Sequence, residues 1–247
     1  MSELLHFAEH RLQEGALVFM AVVYTLRIRW LLKFKAGKER QAATGSRGTT
    51  RRQGILYSWA IIGMPWAMES IRTKLFLYLQ FVIFHLGVVA AIGLSFVIPY
   101  APSLLAGNPT LVHGLQGLIW AACAVGCYRI VRRAASKHMR AISSPDDFFS
   151  LTLLTVWFGF AGLAVPNRPD LAEWPLLAFF FLTAFFLVYV PFSKISHYLY
   201  YPFTRYYFGK SMGHRGVFPL PRGGKPERVE PVEPAGAGVP VADGRTS

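Results

Sequence analysis

Five stretches of this chain are apolar enough, for long enough, to cross a bilayer, and that decides most of what it can fold into. A spanning helix needs about 20 mostly apolar residues. Residues 15–33, 73–99, 111–131, 147–165 and 174–200 qualify. Without water in the hydrocarbon each segment must satisfy its own backbone polar groups, which favours helices. The expected fold is an all-α membrane protein, a bundle of five transmembrane helices. Composition agrees, with 53% hydrophobic against 16% charged residues, too apolar for an ordinary soluble domain. A formal net charge of +13 would suggest nucleic acid on a soluble fold. Here the Lys and Arg sit in short segments between apolar runs, so no nucleic-acid partner is expected and membrane lipid is.

The same segments set the orientation. Arg27 to Arg52 after the first run and Arg129 to Arg140 after the third are rich in Lys and Arg, whereas "PYAPSLLAGNPTLVHG" has none and "PNRPDLAEW" has only Arg168 against two acids. The N-terminus is expected outside and the C-terminus in the cytoplasm, in a multi-pass protein of the prokaryotic inner membrane. Residues 1–14 then form an outer flank; they lack the basic region of a cleaved signal peptide, so the first span should stay. Residues 54–70, "GILYSWAIIGMPWAMES", are too short and too broken by Pro65 and Glu69 to span, and are expected along the membrane surface. Residues 15–210 make up the membrane domain. Residues 211–247, rich in Pro, Gly and Ala from Val229 onward, read as a flexible, disordered cytoplasmic tail. Cys123 and Cys127 share a helix face and read as small buried packing residues.

Ionisable groups inside a bilayer are expensive, so each is a functional candidate. His85, His113 and His197 meet that test, while His6, His10, His138 and His214 fall in flanks or loops and read as solvated. His85 lies thirteen residues past Arg72 and His197 eight before Arg205, about 20 Å and about 12 Å from the inner boundary at 1.5 Å per residue. Two histidines at similar depth on separate helices can clamp one metal. Zinc is poorly served by two imidazoles alone; haem iron needs only two axial ligands. Gly87, Ala90, Ala91, Ser193 and Ser196 are small enough to leave room for a flat macrocycle. Lys194, Arg205, Tyr198 and Tyr201 stand where its propionates would meet water. Pro191 is expected to kink the fifth helix and aim His197. The same histidines read equally as one packing residue bonded to a neighbouring helix and one interfacial residue.

Two motifs bear on that choice. "FHLG", Phe84 to Gly87, and "VPFSKISHYLYYPFTRYY", Val190 to Tyr207, carried on five helices in this orientation, resemble the gamma, membrane cytochrome b subunit of respiratory nitrate reductase. "SSPDDFFSLTLL", Ser143 to Leu154, and "MPWAMES", Met64 to Ser70, are more similar to the relatives in sulfur-metabolism, heterodisulfide-reductase-like membrane complexes. The resemblance implies that His85 and His197 are partner ligands of a haem b on the cytoplasmic side. Two-haem members place a further pair of histidines where this chain has Ser95 and Phe179, so one haem is expected. His113 stands about where relatives keep a basic residue and is a candidate for quinone or proton handling. The implied function is electron transfer between menaquinone or ubiquinone and a cytoplasmic iron-sulfur subunit, with the catalytic centre on a partner. Two other classes compete: a haem-free anchor whose basic face recruits an enzyme to anionic lipid, and a small proton-coupled transporter using His85 and His113.

Overall fold

The computed structural model describes residues 2–34, 37, 40–43, 45, 48–64 and 73–220, and its regular structure there is helical throughout. Five helices are long and apolar enough to cross a membrane: Glu3–Leu32, Leu75–Tyr100, Pro109–Ala135, Pro145–Ala164 and Trp174–Phe192, here spans one to five. Val18, Val22 and Leu26 of span one and Phe76 and Val89 of span two face outward, and helices apolar on every side belong in lipid.

The chain divides into two compact units, residues 1–37 with 63–204, and residues 38–62 with 205–247. In the first, span three packs along both span two and span four, and span five along spans one and four. One end of this bundle gathers the N-terminal turn and the ends of spans two and five: the Ser2 amide donates to Glu173 at 2.6 Å and the Tyr100 hydroxyl to Glu14 at 2.8 Å. The other end gathers span three, the start of span four and the exit of span five, where Arg133 donates to Ser143 at 2.7 Å and Lys194 to Ser144 at 2.7 Å. Phe158, Phe179 and Phe180 fill the core, with the Trp157 ring stacked on Phe179 at 5.9 Å and its N–H donated to Thr183 at 2.9 Å. Spans two and three approach closely because position 87 is glycine: a Cβ there would fall on the Ala122 methyl.

Several boundaries differ from those expected. Residues 3–14 are not a separate flank; the helix starts at Glu3 and runs into span one through a π-helical turn, Ala8–Leu12. Span five does not continue to residue 200. Its α-helix ends at Tyr189, Val190–Phe192 and Lys194–Ser196 are short 3-10 turns around an extended Ser193, and a new helix runs from His197 to His214. Pro191 therefore breaks the helix rather than kinking it. The break is tolerable because the Val190 carbonyl accepts from the Ser193 amide and hydroxyl at 3.1 Å each and from the Ser196 hydroxyl at 2.6 Å. Cys127 is exposed rather than buried, while Cys123 donates to the Thr155 carbonyl at 3.6 Å. The stretch expected as a tail from residue 211 begins in the last helix, and residues 221–247 lie outside the described residues, as do residues 65–70 of the expected surface segment.

In the second unit a helix, Arg51–Ala60, starts at a capping box made by Thr50 and Gln53. It crosses the last helix backbone to backbone: a Cβ on Gly209 would stand 2.7 Å from the Ile55 Cα, and one on Gly54 2.6 Å from the Gly213 Cα. Phe218 closes this unit, with the Tyr57 and Phe208 rings edge-on at 5.0 and 5.5 Å.

Candidate functional site

The structure brings His85 and His197 together. Their ring centres are 6.3 Å apart and the rings lie at 79° to one another. His85 comes from the middle of span two and is half-buried; His197 is the first residue of the last helix and is exposed. Spans two and five are not among the helix pairs that pack extensively on one another, and the two imidazoles meet edge-on between them.

Each ring is oriented by its own stretch of chain. His85 Nδ1 lies 2.7 Å from the Phe81 carbonyl one turn earlier, and His197 Nδ1 lies 3.0 Å from the Lys194 carbonyl. A carbonyl only accepts, so in the neutral imidazole Nδ1 carries the proton and Nε2 keeps its lone pair. That is the tautomer a metal ligand requires, with the outer hydrogen bond raising its basicity. A metal bridging two Nε2 atoms at about 2.0–2.1 Å each would set the ring centres about 6 Å apart. The observed separation fits. Among the described residues no group of three or more His, Cys, Asp or Glu side chains converges to hold a metal.

Around the pair, the Phe81 ring lies 4.1 Å from that of His85, and Phe84 packs between His85 and Phe158. The Arg129 guanidinium lies over the Phe84 ring at 5.4 Å and within electrostatic reach of His85. Arg129 was not among the expected site residues; on sequence it belongs to a run of loop cations, and only the packing of span three against span two draws it in.

Three expected site residues are engaged elsewhere. Gly87 lies across the helix from His85 and its space is filled by Ala122, so it makes the span two to span three crossing instead of room beside the histidine. Lys194 donates to Ser144 at 2.7 Å and to both carboxylate oxygens of Asp147 at 3.0 Å, with Arg133 3.8 Å from the same carboxylate. Arg205 belongs to the second unit, where it donates to the Ser58 carbonyl at 2.9 Å and lies over Phe208. The Lys194 contacts matter all the same: Asp147, which caps span four through the Ser144 amide at 2.8 Å, fixes the residue whose carbonyl orients His197.

His113 lies away from the pair, near the start of span three. On a neighbouring face of that helix is an open groove of about 460 Å³ lined by Asn108, Thr110, Leu111, Gly114, Leu115 and Leu118. Ser95 and Phe179 are both buried, the Ser95 hydroxyl donating to the Ile92 carbonyl at 2.8 Å.

A protein of Nitratidesulfovibrio vulgaris is 27% identical over 196 residues, covering 74% of this chain and 79% of its own length; its description, "Protein", names no activity. No family model and no solved structure matches the chain.

Proposed function

We propose that this chain is a membrane cytochrome b subunit with one haem, exchanging electrons between a quinone pool and an iron-sulfur protein docked on the side of the basic loops. The observation that carries the reading is the meeting of His85 and His197, with both Nδ1 atoms bonded to local carbonyls and both Nε2 atoms left to bind. The motifs around the two histidines resemble those of the nitrate reductase gamma subunit and its sulfur-metabolism relatives, which supports a haem over other two-ligand groups. On this reading the loops bearing Arg27 to Arg52 and Arg129 to Arg140 face the cytoplasm of a prokaryotic cell.

His85 and His197 would hold the iron through Nε2, and the bound haem supplies a one-electron couple. The remaining work belongs to the chain. Phe81, Phe84 and Phe158 keep water from the His85 side. Arg129 offers a cation for carboxylates, the part expected of Lys194 and Arg205. Asp147, through Lys194, holds the turn that presents His197. Ser95 and Phe179 sit in packed core, which supports one haem over two.

The test is the dithionite-reduced minus oxidised spectrum of the purified chain, with haem titrated per polypeptide. A b-type α band and one haem per chain are expected. Two haems would overturn the single-site reading, and a colourless preparation from haem-replete cells would leave the haem-free anchor in its place.

Asp147→Asn is expected to keep the band but shift or broaden the low-spin resonance of the oxidised protein, and to lower stability by about 1 kcal/mol through the weakened cap. Asp147→Glu should restore the resonance. An unchanged spectrum in Asp147→Asn would remove Asp147 from the positioning of His197.

A further inference from the structure

Span one has 30 residues, about 45 Å of helix at 1.5 Å per residue, against a hydrocarbon layer of about 30 Å. Its first turns, where Glu3, His6, Arg11 and Glu14 are exposed, reach past the lipid into water. Glu9 and Gln13 turn inward there, 4% and 1% exposed. His6 is exposed and His10 half-buried, four residues apart and so one turn above the other on the same face. Their ring centres lie 4.8 Å apart. Tyr100 of span two meets the His10 ring edge-on at 5.5 Å and donates its hydroxyl to Glu14 at 2.8 Å, one turn further on. Among the described residues neither imidazole has a hydrogen-bond partner, so their ring nitrogens are open to a ligand. The surroundings are acidic: Glu3, Glu9 and Glu14 on the helix and Glu173 bonded to the Ser2 amide, against Arg11, with Arg168 held by Asp170 at 2.8 Å. In a chain of net charge +13 this is an end that draws cations.

The two histidine pairs of this chain differ in what they can bind. A metal about 2.0–2.1 Å from an imidazole nitrogen lies about 3.2 Å from the centre of that ring. Ring centres 6.3 Å apart, as for His85 and His197, then put the ligands nearly opposite one another, whereas 4.8 Å puts them at about 97° at the metal. That is the angle between adjacent ligands of a tetrahedral or octahedral ion, and it does not suit the axial pair of a macrocycle. Among the described residues no third His, Cys, Asp or Glu converges with them. Two imidazoles alone serve zinc poorly in a dry interior, but at this end water can fill the remaining positions. We propose that His6 and His10 chelate a divalent transition-metal ion, with water completing its coordination. Imidazole selects the class: Cu2+, Ni2+ and Zn2+ over Mg2+ and Ca2+, which take oxygen ligands. Such an ion braces the π-helical turn Ala8–Leu12, which His6 precedes and His10 belongs to. The site is independent of whether the other pair holds a haem.

The experiment titrates the full-length protein, purified on an affinity tag without histidine, with Zn2+ by calorimetry and with Cu2+ by electron paramagnetic resonance. One saturable ion per chain is expected, and bound Cu2+ should show the splitting of two imidazole nitrogens. In His6→Ala and in His10→Ala the splitting should fall to one nitrogen and the affinity about tenfold or more, since even an outer partner of a metal ligand is worth about 10–100-fold. Zn2+ should raise the thermal midpoint of the wild type and not of either variant, while without metal all three midpoints agree. His138→Ala should bind as the wild type does. Equal affinity in the wild type and both variants, or no saturable binding at all, would overturn the proposal. So would a loss confined to His85→Ala or His197→Ala, which would place the ion at the other pair. Haem is scored separately by its band: a colourless protein with the two-nitrogen signal, lost in His6→Ala, retains this site while the electron-transfer reading fails.

Discussion

Replacing either His85 or His197 by alanine is expected to abolish the reduced b-type band, with both variants losing it alike. The symmetry is the informative part. A macrocyclic iron held between two imidazoles needs both, and among the described residues no further His, Cys, Asp or Glu converges with the pair to take the missing place. The loss should exceed that of any neighbouring substitution, because Arg129 and Asp147 act on the carboxylate edge or on the ligand's orientation and not on the iron. His138→Ala, outside the pair, should leave the band intact. A band that survives in either His85→Ala or His197→Ala would show that the ligand is elsewhere and dissolve the site as drawn.

The next largest effect is expected at Gly87, and it concerns the fold. Gly87→Ala puts a methyl where the Ala122 methyl already lies, and since Ala122 is fully buried the helices themselves must move apart. Overpacking of this kind costs roughly 1–3 kcal/mol, and in a membrane, where close van der Waals contact replaces the hydrophobic drive between helices, the separation also loses the packing on either side. Thermal unfolding in detergent should show a clearly lowered midpoint. Adding Ala122→Gly moves the methyl from one helix to the other and should recover most of the loss. Failure of that rescue would mean that position 87 matters for some reason other than this crossing.

The five spans were legible from the length of the apolar runs, because the bilayer imposes that length on any chain that crosses it. The pairing of His85 with His197 drew on a rough comparison of depth and on the resemblance of the motifs that carry them, and the structure sets the two rings 6.3 Å apart. What surrounded them did not follow. Gly87 was placed beside the macrocycle, although two residues along an α-helix is roughly 200° of rotation, which sets it on the far side from His85. Lys194 looked free because its partner Asp147 is 47 residues away in sequence. The exit of span five was read as a kinked helix, since a proline in an apolar run says nothing of the serine hydroxyls that take up the Val190 carbonyl where the helix stops. Glu9 and Gln13 were read as part of a flank; the helix that buries them begins earlier than hydropathy suggested.

The interruption between Ser193 and Ser196 bears on how such a protein is made. His85 sits on an uninterrupted helix that can enter the membrane with its ring already set by its own backbone. His197 follows two short turns that are held by Lys194 against Asp147 at the head of span four. One half of the pair is thus ready at insertion and the other only after the fourth and fifth helices have docked. If the pair holds a haem as proposed, its loading would follow that docking, and a chain that stalls before it would offer a single histidine.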